Sequence, residues 1–267
     1  MMKNVIVPVF WRPMTDNDFG CAYPSKLKIW RTAADDKVVK NVASTVISND
    51  EVVVTVDMEL KSVSASYSID YHFFGNGTVK IKSTYKPIGN SKQPDMPAFG
   101  MRLVIDGDFE NMQWYGRGPQ ESYWDRKTAA RVGRYSATIK SDLHPYIRPQ
   151  EVGNKTDVRW FALSKPSGEG FCFIGQNDLN ISANHFIMSD LDAGDAKHNT
   201  HWGELKPRDL TTVNIDYKQM GMGGIDSWYS QPLEKYRLPA NQIYSYEFVI
   251  RPFGKGENVE GFWKEKY

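Results

Sequence analysis

The side chains best suited to acid–base work are five histidines, His72, His144, His185, His198 and His201, and three glutamates in aromatic or polar surroundings, Glu121, Glu151 and Glu204. A pair of carboxyls about 5–5.5 Å apart, or about 6.5–9.5 Å apart, would suit cleavage of a glycosidic bond. Nothing in the spacing marks one glutamate as acid and another as nucleophile, and ion pairing of Glu121 with Arg117 or Arg126 is the expected role. His198 and His201 have the i, i+3 spacing of a helical chelate, but they lie in an Asp/Gly/Asn-rich stretch with no third ligand at a recognised distance. No metal and no cofactor is expected. Thr15-Asp16-Asn17-Asp18-Phe19-Gly20 has the acidic look of a calcium loop without its terminal glutamate, and reads as a tight turn held by Asx side chains. Serine or cysteine nucleophiles have no supporting motif, and Cys21 and Cys172 read as free thiols.

Aromatic residues carry the stronger signal. They make up 13% of the 267 residues, 8 of them Trp, beside 21 Gly and 14 Pro. Trp30, Trp160 and Trp263 lie among apolar or strand-forming residues and are expected in the core. Trp228 instead follows Gly221-Met222-Gly223-Gly224-Ile225-Asp226-Ser227, a glycine-rich loop that offers little to bury a large ring. A loop-tip tryptophan can stack on the apolar C–H face of a sugar while neighbouring polar groups bond its hydroxyls.

The elements that must position these residues are strands. Val52, Val54, Val56, Met58 and Leu60 alternate with polar residues, as do Ala65, Tyr67, Ile69, Tyr71 and Phe73, a period of two that predicts half-buried antiparallel strands. Gly75-Asn76-Gly77 then predicts a hairpin into a strand through Val79 and Ile81. Further strands are expected at Met101–Ile105, Phe171–Ile174, Ile181–Phe186, Val213–Tyr217 and Tyr244–Ile250. Only Asp125–Val132 could form a turn or two of helix, so helix should stay under about a tenth of the chain. The fold class is all-β, a large antiparallel β-sandwich in a single domain over residues 1–267, with Lys86–Pro97 as a long crossover rather than a boundary.

A formal net charge of +1, from 33 Lys+Arg and 32 Asp+Glu, supplies no field for nucleic acid or an anionic membrane. Apolar runs fall short of the roughly 18 residues of a membrane span, and Met1–Val5 leads directly into a strand-like segment, so no signal peptide is expected.

Four stretches together resemble a known family. Phe10–Gly20, Trp114–Arg126, Pro145–Asn154 and Asn214–Trp228 are similar, in this order, to motifs of the C-terminal "small chain" domain of glycoside hydrolase family 2 β-galactosidases. The resemblance runs from about Val9 to Phe253, with Lys40–Pro97 matched by strand periodicity alone. It implies a supersandwich of the galactose mutarotase-like kind, packed within one polypeptide against a catalytic (β/α)₈ barrel that owns the acid/base and nucleophile glutamates. No catalytic residue is then expected in this chain, which would be inactive alone. The resemblance further implies that Trp228 and Asp226, with a loop starting at Gly20, border the cleft for a galactoside; where the family has a second aspartate before Asp226, this chain has Ile225. It also implies a homo-oligomeric parent enzyme in a bacterial cytoplasm or periplasm. Two other readings share the fold: an aldose mutarotase, with acid and base drawn from His144, His185, His201, Glu151 or Glu204, and a non-catalytic carbohydrate-binding module.

Overall fold

The computed structural model describes residues 6–90, 92–197, 199–226, 229–265 and 267. Strands account for 44% of the chain and helices for 12%, slightly above the expected tenth, in pieces of no more than six residues among the described residues. In chain order the strands are β1 (Val7–Val9), β2 (Lys37–Ser48), β3 (Glu51–Leu60), β4 (Ala65–Phe74), β5 (Val79–Pro87), β6 (Ala98–Ile105), β7 (Asn111–Gly118), β8 (Arg131–Thr138), β9 (Lys155–Ser164), β10 (Gly170–Asn184), β11 (Thr211–Gln219) and β12 (Tyr244–Phe253). Two short helices that bear on the site, α1 (Asp16–Gly20) and α2 (Tyr23–Lys26), precede β2.

All pairings are antiparallel, and the main path runs β1-β6-β11-β10-β12-β5-β4-β3-β2, with β9, β7 and β8 branching from β10. The expected hairpin joins β4 to β5, where Asn76 Oδ1 accepts from Thr78 N at 2.9 Å and Gly77 takes φ 82°. Phe171–Ile174 and Ile181–Phe186, expected as separate strands, belong largely to one strand, β10. Its first half pairs with β12 and its second half with β11, and the register shifts between Ile174 and Leu179. Gly175 permits this bulge, because a Cβ there would lie 2.1 Å from the Asn177 carbonyl oxygen. Passing from one partner strand to the other, β10 folds the path into two facing layers.

The core lies between those layers. Phe99 of β6 meets Tyr246 and Tyr244 of β12 at ring-centroid distances of 5.5 and 5.7 Å, while Phe10 contacts Tyr67 of β4 edge-on at 5.6 Å. Such edge-to-face packing adds about 0.5–1.5 kcal/mol per pair beyond burial. Tyr67 and Tyr246 bury their hydroxyls as well, and both find partners: Ser83 Oγ for the first, the Ile215 carbonyl for the second.

Three expectations need correction. Asp125–Val132 forms turns that run into β8 and holds no helix. Trp30 and Trp160 are buried as expected, but Trp263 is 39% exposed, since the C-terminal turn Val259–Lys264 buries Val259 and Phe262 instead and leaves Trp263 against Tyr115. The apolar face of β3 is buried only toward Met58 and Leu60; its other end is open.

Candidate functional site

Thr15–Gly20 is a capped helix rather than a tight turn. Thr15 Oγ1 accepts from Asp18 N at 3.3 Å, and Asp18 Oδ2 accepts from Thr15 N at 2.8 Å, the reciprocal bonds of a capping box. Asp18 also receives both terminal nitrogens of Arg12 at 2.6 and 3.1 Å, with both side chains almost fully buried. A buried bidentate pair of this kind fixes α1 against the sandwich. Gly20 ends α1, and the chain continues into α2 and a further turn whose Tyr23, Leu27 and Trp30 are buried.

From this support Asn17 reaches the glycine-rich loop, its Nδ2 donating to the Met222 carbonyl at 3.0 Å. Asp125 holds the same point from the other side: Oδ1 accepts from Met222 N and Oδ2 from Gly223 N, both at 2.9 Å. The returning arm is tied at Ser230, whose carbonyl accepts from Cys21 Sγ at 3.3 Å. The glycines answer to this close fit. A Cβ on Gly221 would stand 2.6 Å from Asp125 Oδ2, and one on Gly224, where φ is 80°, 2.9 Å from Asn17 Nδ2.

Beyond the clamp the loop opens to solvent. Ile225 is 67% and Tyr229 79% exposed, Asp226 is exposed between them, and Tyr229 takes φ 71°, a conformation that costs a side-chain-bearing residue about 1–2 kcal/mol. Ser227 and Trp228 lie outside the described residues, as does His198. Ile225 and Tyr229 thus stand exposed beyond a hydrogen-bonded loop base.

Beneath the loop lies a buried polar layer. Gln219 Nε2 donates to Glu151 Oε1 and to Asp216 Oδ2, each at 3.2 Å. Burial pushes Glu151 up to about 8, against the pull of Arg12 and Gln219, and pushes Asp216 up to about 7, against Gln219 and Arg102. Glu121 accepts from the Tyr146 hydroxyl and from Gly153 N at 2.8 Å, and lies 3.6 Å from Arg126 as expected. Arg117 does not join it; Arg117 and Lys127 both pair with Asp157. Ser122 and Asn154 exchange backbone and side-chain bonds at 2.8 Å. All four sequence stretches therefore meet in one block, with the loop on top.

The residues considered for acid–base chemistry are dispersed by comparison. His185 lies between Glu110 Oε2, at 2.6 Å, and the Leu210 carbonyl, at 2.8 Å. His144 packs edge-on against Tyr146, and His201 and Glu204 share an exposed turn. Among the described residues no hydrogen bond or ion pair links any of these histidines to Glu151, and no group of three His, Cys, Asp or Glu side chains is arranged to hold a metal ion. Asn17, Asp125 and Tyr229 had no role assigned from sequence; all three stand inside or beside the motifs, but their meeting requires the fold.

Comparison with known proteins shows the family. The model of the family described as "Beta galactosidase small chain" matches residues 1–250, and the chain belongs to that family. A β-galactosidase of Priestia megaterium is 37% identical over 245 residues, which are 92% of this chain and 23% of that protein. A β-galactosidase of Lactobacillus delbrueckii subsp. bulgaricus is 32% identical over 252 residues, 94% of this chain and 24% of the relative. The chain thus spans about a quarter of the length of the curated relatives it matches. Among solved structures, a GalM/aldose epimerase homologue from C. elegans aligns with 81% of this chain and 70% of its own at TM-score 0.42 and 10% identity, a distance at which likeness carries no functional information.

Proposed function

We propose that this chain is the small-chain domain of a β-galactosidase that hydrolyses terminal β-D-galactosides, and that it contributes a binding loop to a cleft whose catalytic carboxyls lie elsewhere in the polypeptide. The observation that carries the reading is the clamp: Asn17 and Asp125 hold Met222 and Gly223 while the tip beyond them projects Ile225 and Tyr229 into solvent. Trp228, two residues from Asp226, would stack on a sugar ring there; Asp226 would shape the tip, and Gly20 would border the same cleft at the end of α1. Glu121 is committed to Tyr146 and Gly153, Glu151 is buried against Gln219, and Glu204 caps its own exposed turn, which supports placing the catalytic carboxyls elsewhere in the polypeptide.

The test compares two proteins on a nitrophenyl galactoside. The chain alone should show no turnover. The same chain grafted in place of the 245 residues it matches in the Priestia megaterium enzyme should restore hydrolysis. Turnover by the pure isolated chain would overturn the reading, and catalysed interconversion of galactose anomers by that chain would replace it with a mutarotase.

A further inference from the structure

Strands β3 and β4 each have one mainly polar and one apolar face, and β2 adds Val42 and Val46, with Ser44 between them, to the apolar side. On the polar side Thr55 Oγ1 donates to Asp70 at 2.7 Å, Asn41 to Asp57 at 3.2 Å, and Lys40 pairs with Glu59. The apolar side is the core face of the sheet, but it outruns the layer that covers it. In one cross-strand row Ile69 is buried, Val56 packs at the margin of the core and Val42 is 62% exposed. The next rows outward hold Tyr71 stacked on Phe73 at 6.1 Å, then Val52 beside Val46, with Phe73 44% and Val46 73% exposed. Strand β2 also ends the main path, with pairing to β3 alone among the described residues. An apolar sheet face that continues a hydrophobic core and is left open at its outer rows calls for an apolar segment laid across it.

We propose that this overhang seats an apolar segment from the remainder of the β-galactosidase polypeptide, laid across the sheet face over Val42, Val46 and Phe73. The inference rests on the reading that this chain is one part of a longer enzyme. Its occupant is drawn from the same observation: the relatives match 92–94% of this chain with only 23–24% of their own length, so each carries a large further span able to supply the segment. A second copy of this chain is the competing occupant.

Both native cysteines are buried, which makes thiol labelling a clean probe. Val46→Cys places a thiol on the overhang; Thr45→Cys places one on the opposite, exposed face of the same strand. In the isolated chain both should react readily with a maleimide, and the chain should sediment as a monomer. In the Priestia megaterium graft, Val46→Cys labelling should slow about ten-fold or more while Thr45→Cys is unaffected. If the graft is insoluble, the same substitutions at the aligned positions of the intact relative give the reading. Equal labelling of Val46→Cys in both contexts would overturn the proposal, as would protection in the isolated chain accompanied by sedimentation as a dimer. An inactive graft with a protected thiol counts against the functional reading alone; an active graft with an open thiol counts against this one.

Discussion

Glu151 and Asp216 share one hydrogen-bond donor, the Gln219 side-chain amide, 3.2 Å from an oxygen of each. Gln219 ends β11, and the glycine-rich loop begins two residues later, so the carboxyl pair forms the floor on which the loop stands. Arg12 and Arg102 are the cations that offset its burial.

This floor gives the fold a pH dependence of defined sign. Both carboxyls have folded values, about 8 and about 7, above their ordinary 4.5 and 3.8. The folded protein therefore binds protons more tightly than the unfolded chain, and the contribution is fully present below about pH 4 and lost as pH rises through 7 to 8. From pH 5 to pH 9 stability should fall, by up to about 6 kcal/mol on these two values, and Glu151→Gln should flatten the slope. Thermal melts across that range check it; a midpoint that holds or rises would mean that both groups are ionised and well paired.

Asp125→Ala removes both acceptors at the loop base. Leaving the Met222 and Gly223 amides without partners should cost about 1–3 kcal/mol and speed their hydrogen exchange, while Asp125→Asn, which keeps one acceptor, recovers part of the loss. Unchanged exchange at those two amides would show that Asp125 does not hold the base of the loop.

Glu121→Ala should destabilise the chain by about 2 kcal/mol, equivalent to a melting temperature lower by roughly 4–8 °C, because the Tyr146 hydroxyl and Gly153 N–H lose their acceptor. Arg126→Ala should cost well under about 1 kcal/mol, since that guanidinium is largely exposed. Calorimetry on the two variants separates the roles; equal losses would place the weight on the ion pair.

Trp228→Leu, made in the graft, should raise KM about ten-fold and change kcat by less than about two-fold. Stacking on a sugar that stays bound in ground and transition states is largely uniform binding. Steady-state kinetics on lactose measure the split, and an unchanged KM would remove Trp228 from the binding site.

What the sequence determined by itself is what depends on near neighbours. Alternation of side chains is a local property, so β3, β4, β5 and β12 were legible from period two, and Gly75-Asn76-Gly77 was legible as a turn because positive φ is a property of single residues. The one-turn helix at Asp16 was missed although local, because Thr15 and Asp18 serve a capping box and an Asx turn equally well; the Arg12 pair tips the choice. Tertiary structure alone decided the rest. The polar Gln176-Asn177-Asp178 stretch hid the continuity of β10, whose bulge makes sense only between two partner strands. Asn17 and Asp125 meet Met222 across 205 and 97 residues, separations that strand order closes and no spacing rule can foresee. Burial followed the same division: alternation showed which face of β3 and β4 is apolar, but β2 was not read from the sequence, and how far the opposing layer extends over that face is set by packing, which stops short of Val42, Val46 and Phe73.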